Sequence, residues 1–145
     1  MEKFSMDVQM RWADLDPNFH TLHSVYYDWG ATCRMKFLTD QGLTIALMKK
    51  LNFGPIIFRE ECVFRKEVAY GDVVSINLTI TKAKKNYSRW SLHHEIIKNG
   101  DVTAAIINID GAWLNTIERK LFTPPPEVAV VFDQIPRSPQ FVWLD

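Results

Sequence analysis

The chain has 145 residues, which suits a single domain covering residues 1–145. Its 17 basic and 17 acidic side chains leave no formal net charge, so the sequence lacks the basic excess that is typical of nucleic-acid-binding domains. It contains no apolar run of about 18 residues, so we expect neither a membrane span nor a secretory leader. The only cysteines, Cys33 and Cys62, form no CxxC pair, which favours a reduced, cytoplasmic chain.

The chain begins with a predicted strand followed by a polar loop. Apolar residues alternate with mostly polar ones from Phe4 to Trp12, which is the period of a half-buried strand. Residues 13–22 break this pattern and contain Pro17 and Asn18, two residues that favour turns. We therefore predict that the loop separates two regular elements.

A long amphipathic helix is predicted after the loop. From Ser24 the apolar residues recur at steps of three and four, and Gly42 is a natural residue to end the helix near Gln41. A second, short helix is possible over residues 44–51. The aromatic stripe on the long helix is expected to face the core, and it consists of Tyr26, Trp29 and Phe37.

The remainder of the chain is predicted to form strands. Turn signals lie at Tyr70-Gly71-Asp72 and at Asn99-Gly100-Asp101, and Pro124-Pro125-Pro126 is expected to end regular structure. Four β-rich segments lie between these signals, at residues 56–66, 74–81, 88–98 and 102–114. With one long helix to cover, an antiparallel sheet of about five strands is expected to wrap around that helix, giving an α+β fold.

The polar loop carries the strongest candidates for chemistry. Asp14, Asp16, His20 and His23 lie within ten residues, at the N-terminus of the predicted helix. Such crowding is typical of catalytic sites, although a helix-capping loop with solvated charges would look the same. The spacing also allows a metal site, but zinc needs three or four ligands and Cys33 lies well away, so we predict no metal.

Several motifs together resemble the hotdog-fold acyl-CoA thioesterases, in the 4-hydroxybenzoyl-CoA thioesterase-like branch. The resemblance covers the chain from about Phe4 to Pro126. Its motifs are Arg11-Trp12-x-Asp14-x-Asp16 followed by His20, then His23-x-x-Tyr26, Gly71-Asp72 and Lys120-x-x-x-Pro124. It implies a hotdog fold, an acyl-CoA substrate, hydrolysis of the thioester without a cofactor, and assembly as a homodimer or homotetramer.

The resemblance also implies roles for the loop residues. Asp16 would be the carboxylate that attacks the thioester or activates water, and backbone N–H groups near His23 and Ser24 would stabilise the oxyanion. Without the resemblance, Asp16 would be interpreted as a turn carboxylate. Asp14 is expected to support the loop. His23 is expected to cap the helix, orient Asp16 or contact the thioester, whereas a packing role for His20 is equally acceptable.

A basic hairpin is the candidate site for the phosphates of CoA. It consists of Lys82, Lys84, Lys85, Ser88 and Arg89. In similar thioesterases this region often comes from the neighbouring subunit and faces the nucleotide. The alternative is an ordinary solvated turn.

Two departures from the family and two rival functions stay open. Phe19 stands where related loops often have Gly, and Trp12 stands where some relatives have Tyr. The enzymatic rival is a hydratase or dehydratase of the same fold, and the other rival is an acyl-CoA-binding protein without turnover.

Overall fold

The structure, a computed structural model, describes residues 3–145. One turn of 3-10 helix, Trp12–Asp14, lies in the loop between the first strand and the first helix. The remaining elements in chain order are β1 Phe4–Val8, α1 His23–Asp40, α2 Ile45–Lys50, β2 Phe53–Phe64, β3 Val74–Ala83, β4 Arg89–Lys98, β5 Val102–Asn115, β6 Lys120–Leu121, α3 Pro126–Phe132 and β7 Arg137–Trp143.

The main sheet has the strand order β1-β3-β4-β5-β2, and all of these pairs are antiparallel. The sheet curls around α1, which contacts β1 and β3. The predicted α+β hotdog arrangement is therefore confirmed. The predicted aromatic stripe is also confirmed, because its three rings are buried against the sheet, at Tyr26, Trp29 and Phe37.

The structure corrects the prediction at both ends of the chain. The first strand ends at Val8 rather than near Trp12, because the Arg11 N–H donates to the Asp14 carboxylate (2.8 Å) and closes the 3-10 turn. The proline triplet does not end regular structure. Pro126 begins α3, since the first position of a helix needs no N–H donor. The strand β7 then adds to β3 in a parallel pairing.

The strand β2 forms one edge of the sheet. One side of it bonds to β5, and among residues 3–145 no strand pairs with its other side. Four large apolar side chains on this strand are between 42% and 49% exposed, namely Ile57, Phe58, Val63 and Phe64. A twelve-residue edge strand with exposed apolar side chains is a ready template for pairing with another strand. Across residues 3–145, none of the helices is both long and apolar enough to span a bilayer.

Candidate active site

Asp14 holds the start of the loop in place. Its side chain is 2% exposed and accepts hydrogen bonds from the Arg11 backbone N–H (2.8 Å) and guanidinium (2.7 Å). Its backbone carbonyl accepts the N–H of Leu22 at 2.7 Å. The hydrogen bonds from Arg11 lower the pKa of Asp14 below its usual value. The carboxylate of Asp14 is therefore occupied within the loop itself.

Asp16 forms the turn that gives the loop its shape. Its Oδ1 accepts the backbone N–H groups of Asn18 (2.8 Å) and His20 (3.2 Å), and its own N–H donates to the His20 carbonyl (2.8 Å). Among residues 3–145, Oδ2 receives no hydrogen bond. The turn interpretation thus accounts for Oδ1 of Asp16, whereas Oδ2 has no donor in the described part of the chain.

Phe19 has a backbone conformation that favours glycine. Its φ is 65°, in the left-handed region that side chains usually avoid. The ring centroids of Phe19 and Trp12 are 6.3 Å apart, and the two side chains are 62% and 71% exposed. Phe19 and Trp12 therefore lie on the outer surface of the loop.

The second half of the loop is anchored to the segment that follows β2. The Thr21 N–H and hydroxyl both donate to the Val68 carbonyl, at 2.8 and 3.1 Å. His20 Nε2 lies 3.2 Å from the Glu67 carboxylate, and His20 forms an isolated bridge with Ala69. These contacts fix the loop in front of α1.

The N-terminus of α1 offers free backbone donors. The N-cap residue is Leu22, and no side chain caps this end. Val25 donates to the Leu22 carbonyl (2.9 Å), whereas the N–H groups of His23 and Ser24 have no acceptor within residues 3–145. His23 and Ser24 are both exposed. In the described chain, two N–H groups without an acceptor thus lie at the positive end of an eighteen-residue helix.

Asp16 and His23 line the same pocket, which has a volume of about 410 Å³. Tyr26 and Phe64 form an apolar wall there, with ring centroids 5.0 Å apart. The pocket also contains two cations that the sequence analysis missed, Arg65 and Lys66. The only signal for them was a pair of adjacent basic residues at the end of a predicted strand.

The basic hairpin does not reach this pocket within one chain. The loop lies near Val74, where β1 pairs with β3, and the hairpin follows Ala83. The ten residues of β3 separate the two regions by roughly 30 Å. At the hairpin end, the Arg89 guanidinium lies 4.7 Å from the centroid of the Phe58 ring on β2. Lys82, Lys84, Lys85 and Ser88 occupy the same end of the sheet.

A buried polar cluster, also unforeseen, lies under the middle of α1. Arg34 donates to His94 Nε2 at 3.0 Å and lies 3.5 Å from the Glu60 carboxylate. His94 Nδ1 is 2.7 Å from the Asn77 carbonyl, so the neutral ring donates from Nδ1 and accepts at Nε2. Burial and the neighbouring guanidinium lower the pKa of His94 to about 3.

Within the described part of the chain, no three His, Cys, Asp or Glu side chains lie close enough to hold a metal ion.

Comparison with known proteins gives one family and one fold. The family profile described as the thioesterase-like superfamily matches residues 10–132. No significant match exists among curated proteins. A hypothetical protein from Staphylococcus aureus, solved in complex with CoA, superposes with a TM-score of 0.83 at 18% identity, covering 94% of this chain and 88% of that one.

Two further structures share the fold. The 1,4-dihydroxy-2-naphthoyl-CoA thioesterase from Synechocystis has a TM-score of 0.81 and 18% identity, covering 92% of this chain and 97% of its own. A gentisyl-coenzyme A thioesterase has a TM-score of 0.75 and 24% identity, covering 90% of this chain and 99% of its own.

Proposed function

The chain is a member of the thioesterase-like superfamily, and from this premise we propose that it hydrolyses an acyl-CoA thioester to a free acid and a thiol. The observation that carries the proposal is the shared pocket of Asp16 and His23. Asp16 and His23 both line this pocket, and Ser24 follows His23 in the first turn of α1. Within residues 3–145, Asp16 Oδ2 receives no hydrogen bond, and the N–H groups of His23 and Ser24 have no acceptor. These are the two groups that acyl transfer requires, a nucleophile or base and a set of oxyanion donors.

In the proposed reaction, Asp16 supplies the carboxylate and α1 supplies the electrostatic stabilisation. Oδ2 of Asp16 takes a proton from the water molecule that attacks the thioester carbonyl, or it attacks the carbonyl itself. In the second case, loss of the thiolate leaves a mixed anhydride on Asp16, which water then hydrolyses to the free acid and the original carboxylate. The oxyanion that forms accepts hydrogen bonds from the N–H groups of His23 and Ser24, and one such donor typically lowers the barrier by about 3 kcal/mol. The C–S bond then breaks, and the thiolate departs with little help because a thiol has a pKa of about 8.5. No cofactor takes part.

Asp14 and His20 act in this scheme as supports of the loop. Asp14 ties the loop to Arg11, and His20 ties it to Glu67. Because the geometry of Asp16 depends on both ends of the loop, we assign positioning roles to these two residues. His23 contributes its backbone N–H to the oxyanion and its side chain to the wall of the pocket.

We further propose that two copies of this single-domain chain pair through β2. The Phe64 end of β2 lies at the loop pocket, whereas Phe58, in the middle of β2, lies beside Arg89 of the hairpin. Antiparallel pairing of two β2 edges would place the hairpin of one copy near the loop of the other. Lys82, Lys84, Lys85, Ser88 and Arg89 would then contact the phosphates of CoA across the dimer interface. Two such dimers would form the homotetramer.

Both cysteines are free, which favours the cytoplasm as the site of the reaction.

A panel of acyl-CoA thioesters tests the proposed activity. We expect the purified protein to release free CoA thiol, measured with a disulfide reagent that absorbs on thiol exchange. Enoyl absorbance is followed in the same samples, because a hydratase would change it without releasing thiol. Tight binding of an acyl-CoA with no thiol released from any member of the panel would instead identify a binding protein, and it would overturn the proposal.

A further inference from the structure

The turn of the basic hairpin contains one buried side chain, that of Tyr87, which is 2% exposed. The basic side chains around it are all exposed, at Lys82, Lys84, Lys85 and Arg89. The φ of Tyr87 is 58°, in the left-handed region that residues with a Cβ usually avoid. Its N–H donates to the Lys84 carbonyl at 2.8 Å, which closes the turn. Such a conformation persists only where the surrounding structure holds it, so the contacts of Tyr87 determine the shape of the turn.

The side chain of Tyr87 is buried by residues near the end of the chain. Its ring centroid lies 5.5 Å from that of Phe132, the last residue of α3, and 5.9 Å from that of Trp143 on β7. Its hydroxyl donates to the carboxylate of Asp133, which directly follows α3. Burial, followed by the hydrogen bond to Asp133, raises the pKa of Tyr87 to about 12, so the hydroxyl keeps its proton in neutral solution. The turn is thus held by a part of the chain that follows the main sheet.

Residues 133–145, which we call the C-terminal segment, also bond to the backbone of the hairpin. The strand β7 lies in this segment and pairs in parallel with the end of β3. The Leu144 N–H donates to the Ala83 carbonyl at 2.8 Å, and the Lys85 N–H donates to the Asp145 carboxylate at 3.0 Å. The match to the family profile ends at residue 132, so the whole segment lies beyond it. Family membership therefore assigns no role to these contacts.

The four cations of the hairpin are available to a ligand. Within residues 3–145, none of them forms an ion pair. An anion that binds a mobile hairpin must first order its backbone, and this loss of conformational entropy lowers the affinity. A hairpin with a fixed turn avoids the loss, because the ligand then orders only the lysine and arginine side chains. The contacts of Tyr87 therefore bear on the affinity for an anion as well as on stability.

We propose that the C-terminal segment holds the basic hairpin in the conformation that binds the phosphates of CoA, with Tyr87 and Asp133 as positioning residues. The inference rests on the proposed function, because the identity of the ligand and the role of the hairpin come from it. It adds a part of the chain beyond the family profile to the binding site. If the contacts served only the stability of the domain, folded variants that lack them would bind CoA as the original chain does.

The first experiment measures the order of the hairpin without a ligand. Asp133→Ala removes the acceptor of the Tyr87 hydroxyl, Asp133→Asn keeps an oxygen acceptor, and Asp101→Ala, in the exposed turn at the opposite end of β4, is the control. We expect only Asp133→Ala to speed hydrogen exchange at the Lys84 and Tyr87 N–H groups, by about tenfold relative to β5. Both groups donate to carbonyls within the hairpin, so they report its order and not the loss of a bond to the C-terminal segment. Unchanged exchange at both groups in Asp133→Ala would overturn the inference.

The second experiment measures the Kd for CoA by calorimetry, which does not depend on turnover. We expect Asp133→Ala to raise this Kd by about fivefold, and we expect Asp133→Asn and Asp101→Ala to stay within about twofold of the original chain. In a chain that already carries Lys84→Ala and Lys85→Ala, adding Asp133→Ala should change the Kd by less than about twofold, because two of the groups that it positions are gone. Melting curves and sedimentation confirm that each variant keeps its fold and its assembly.

The two proposals can fail separately in this design. A Kd for CoA that Asp133→Ala leaves unchanged would overturn the inference even if the protein proved to be a thioesterase. The same rise in Kd with and without Lys84 and Lys85 would also overturn it, because the effect would then bypass the hairpin cations. If the expected pattern of Kd values appeared but no thioester released thiol, the inference would be supported and the proposed function would be wrong.

Discussion

Asp16 and His20 hold each other through two hydrogen bonds, from the Asp16 N–H to the His20 carbonyl (2.8 Å) and from the His20 N–H to Asp16 Oδ1 (3.2 Å). The same Oδ1 also accepts the N–H of Asn18 at 2.8 Å. One carboxylate oxygen of Asp16 therefore shapes the turn, and the proposed mechanism assigns the chemistry to the other oxygen. This division makes the two roles of Asp16 separable by mutation.

Replacing Asp16 by Asn should abolish catalysis and preserve the fold. The amide oxygen of Asn can still accept the two N–H groups of the turn, but the side chain can neither attack a thioester nor accept a proton from water. We expect kcat to fall by about a thousandfold or more, with an unfolding midpoint in urea close to that of the original chain. Asp7→Asn, which changes an exposed carboxylate on β1, is the matched control and should be fully active. Turnover by Asp16→Asn at the original rate would remove Asp16 from the mechanism.

The basic hairpin should bind the phosphates of CoA rather than the acyl group. Replacing both Lys84 and Lys85 by Ala is expected to raise KM for an acyl-CoA by roughly tenfold, through the loss of two charge-assisted contacts. KM for the same acyl group on N-acetylcysteamine, a short thiol without phosphates, should not change. The control replaces Lys49 and Lys50, two exposed lysines of α2, by Ala. The phosphate role would be wrong if the two double variants behaved alike with acyl-CoA.

The left-handed backbone at Phe19 should make this position tolerant of Gly and intolerant of branched residues. Its φ of 65° costs a residue with a Cβ about 1–2 kcal/mol, and the cost is larger for a β-branched side chain. Glycine removes that strain but adds about 0.5–1 kcal/mol of backbone entropy to folding, so the free energy of unfolding of Phe19→Gly should stay close to the original. Phe19→Val should lower it by about 1–2 kcal/mol. Urea denaturation of the two variants measures the difference, and equal stabilities would show that the left-handed conformation is not populated in solution.

The sequence predicted the features that depend on neighbours along the chain. The alternation in β3, the steps of three and four in α1 and the turn chemistry at Asn99-Gly100 are all local, and the structure confirms these elements. The hydrogen bond between Arg11 and Asp14, three residues apart, belongs to the same class, although it went unforeseen.

The sequence analysis did not predict the features that depend on the assembled sheet. Arg34 and His94 are 60 residues apart and become partners only because β4 crosses under α1. The ring centroids of Trp90 and Trp113 lie 6.2 Å apart because β4 and β5 pair in a particular register, which also sets Gly111 under the ring of Trp90. Hydrophobic periodicity reports which residues are buried, but it does not report which of them pack against each other.

Burial of neutral His94 should make the protein less stable in mild acid. The pKa of His94 is lowered from 6.5 to about 3, first by burial and then by the charge of Arg34. Between these two pH values the unfolded chain binds a proton that the folded chain does not, so the free energy of unfolding falls as the pH is lowered through this window. Because one pH unit corresponds to about 1.4 kcal/mol, going from pH 6.5 to pH 5 should cost about 2 kcal/mol.

The variant His94→Gln isolates this effect. Gln can accept a hydrogen bond from Arg34 and donate one to the Asn77 carbonyl, but it does not titrate. The loss of stability between pH 7 and pH 5, measured by urea denaturation, should be smaller in the variant by about 2 kcal/mol. The other histidines are present in both proteins, and carboxylates with lowered pKa, such as Asp14 and Asp72, stay ionised in the folded and unfolded chains over this range. The same pH dependence in both proteins would show that His94 does not titrate on unfolding as its buried position requires.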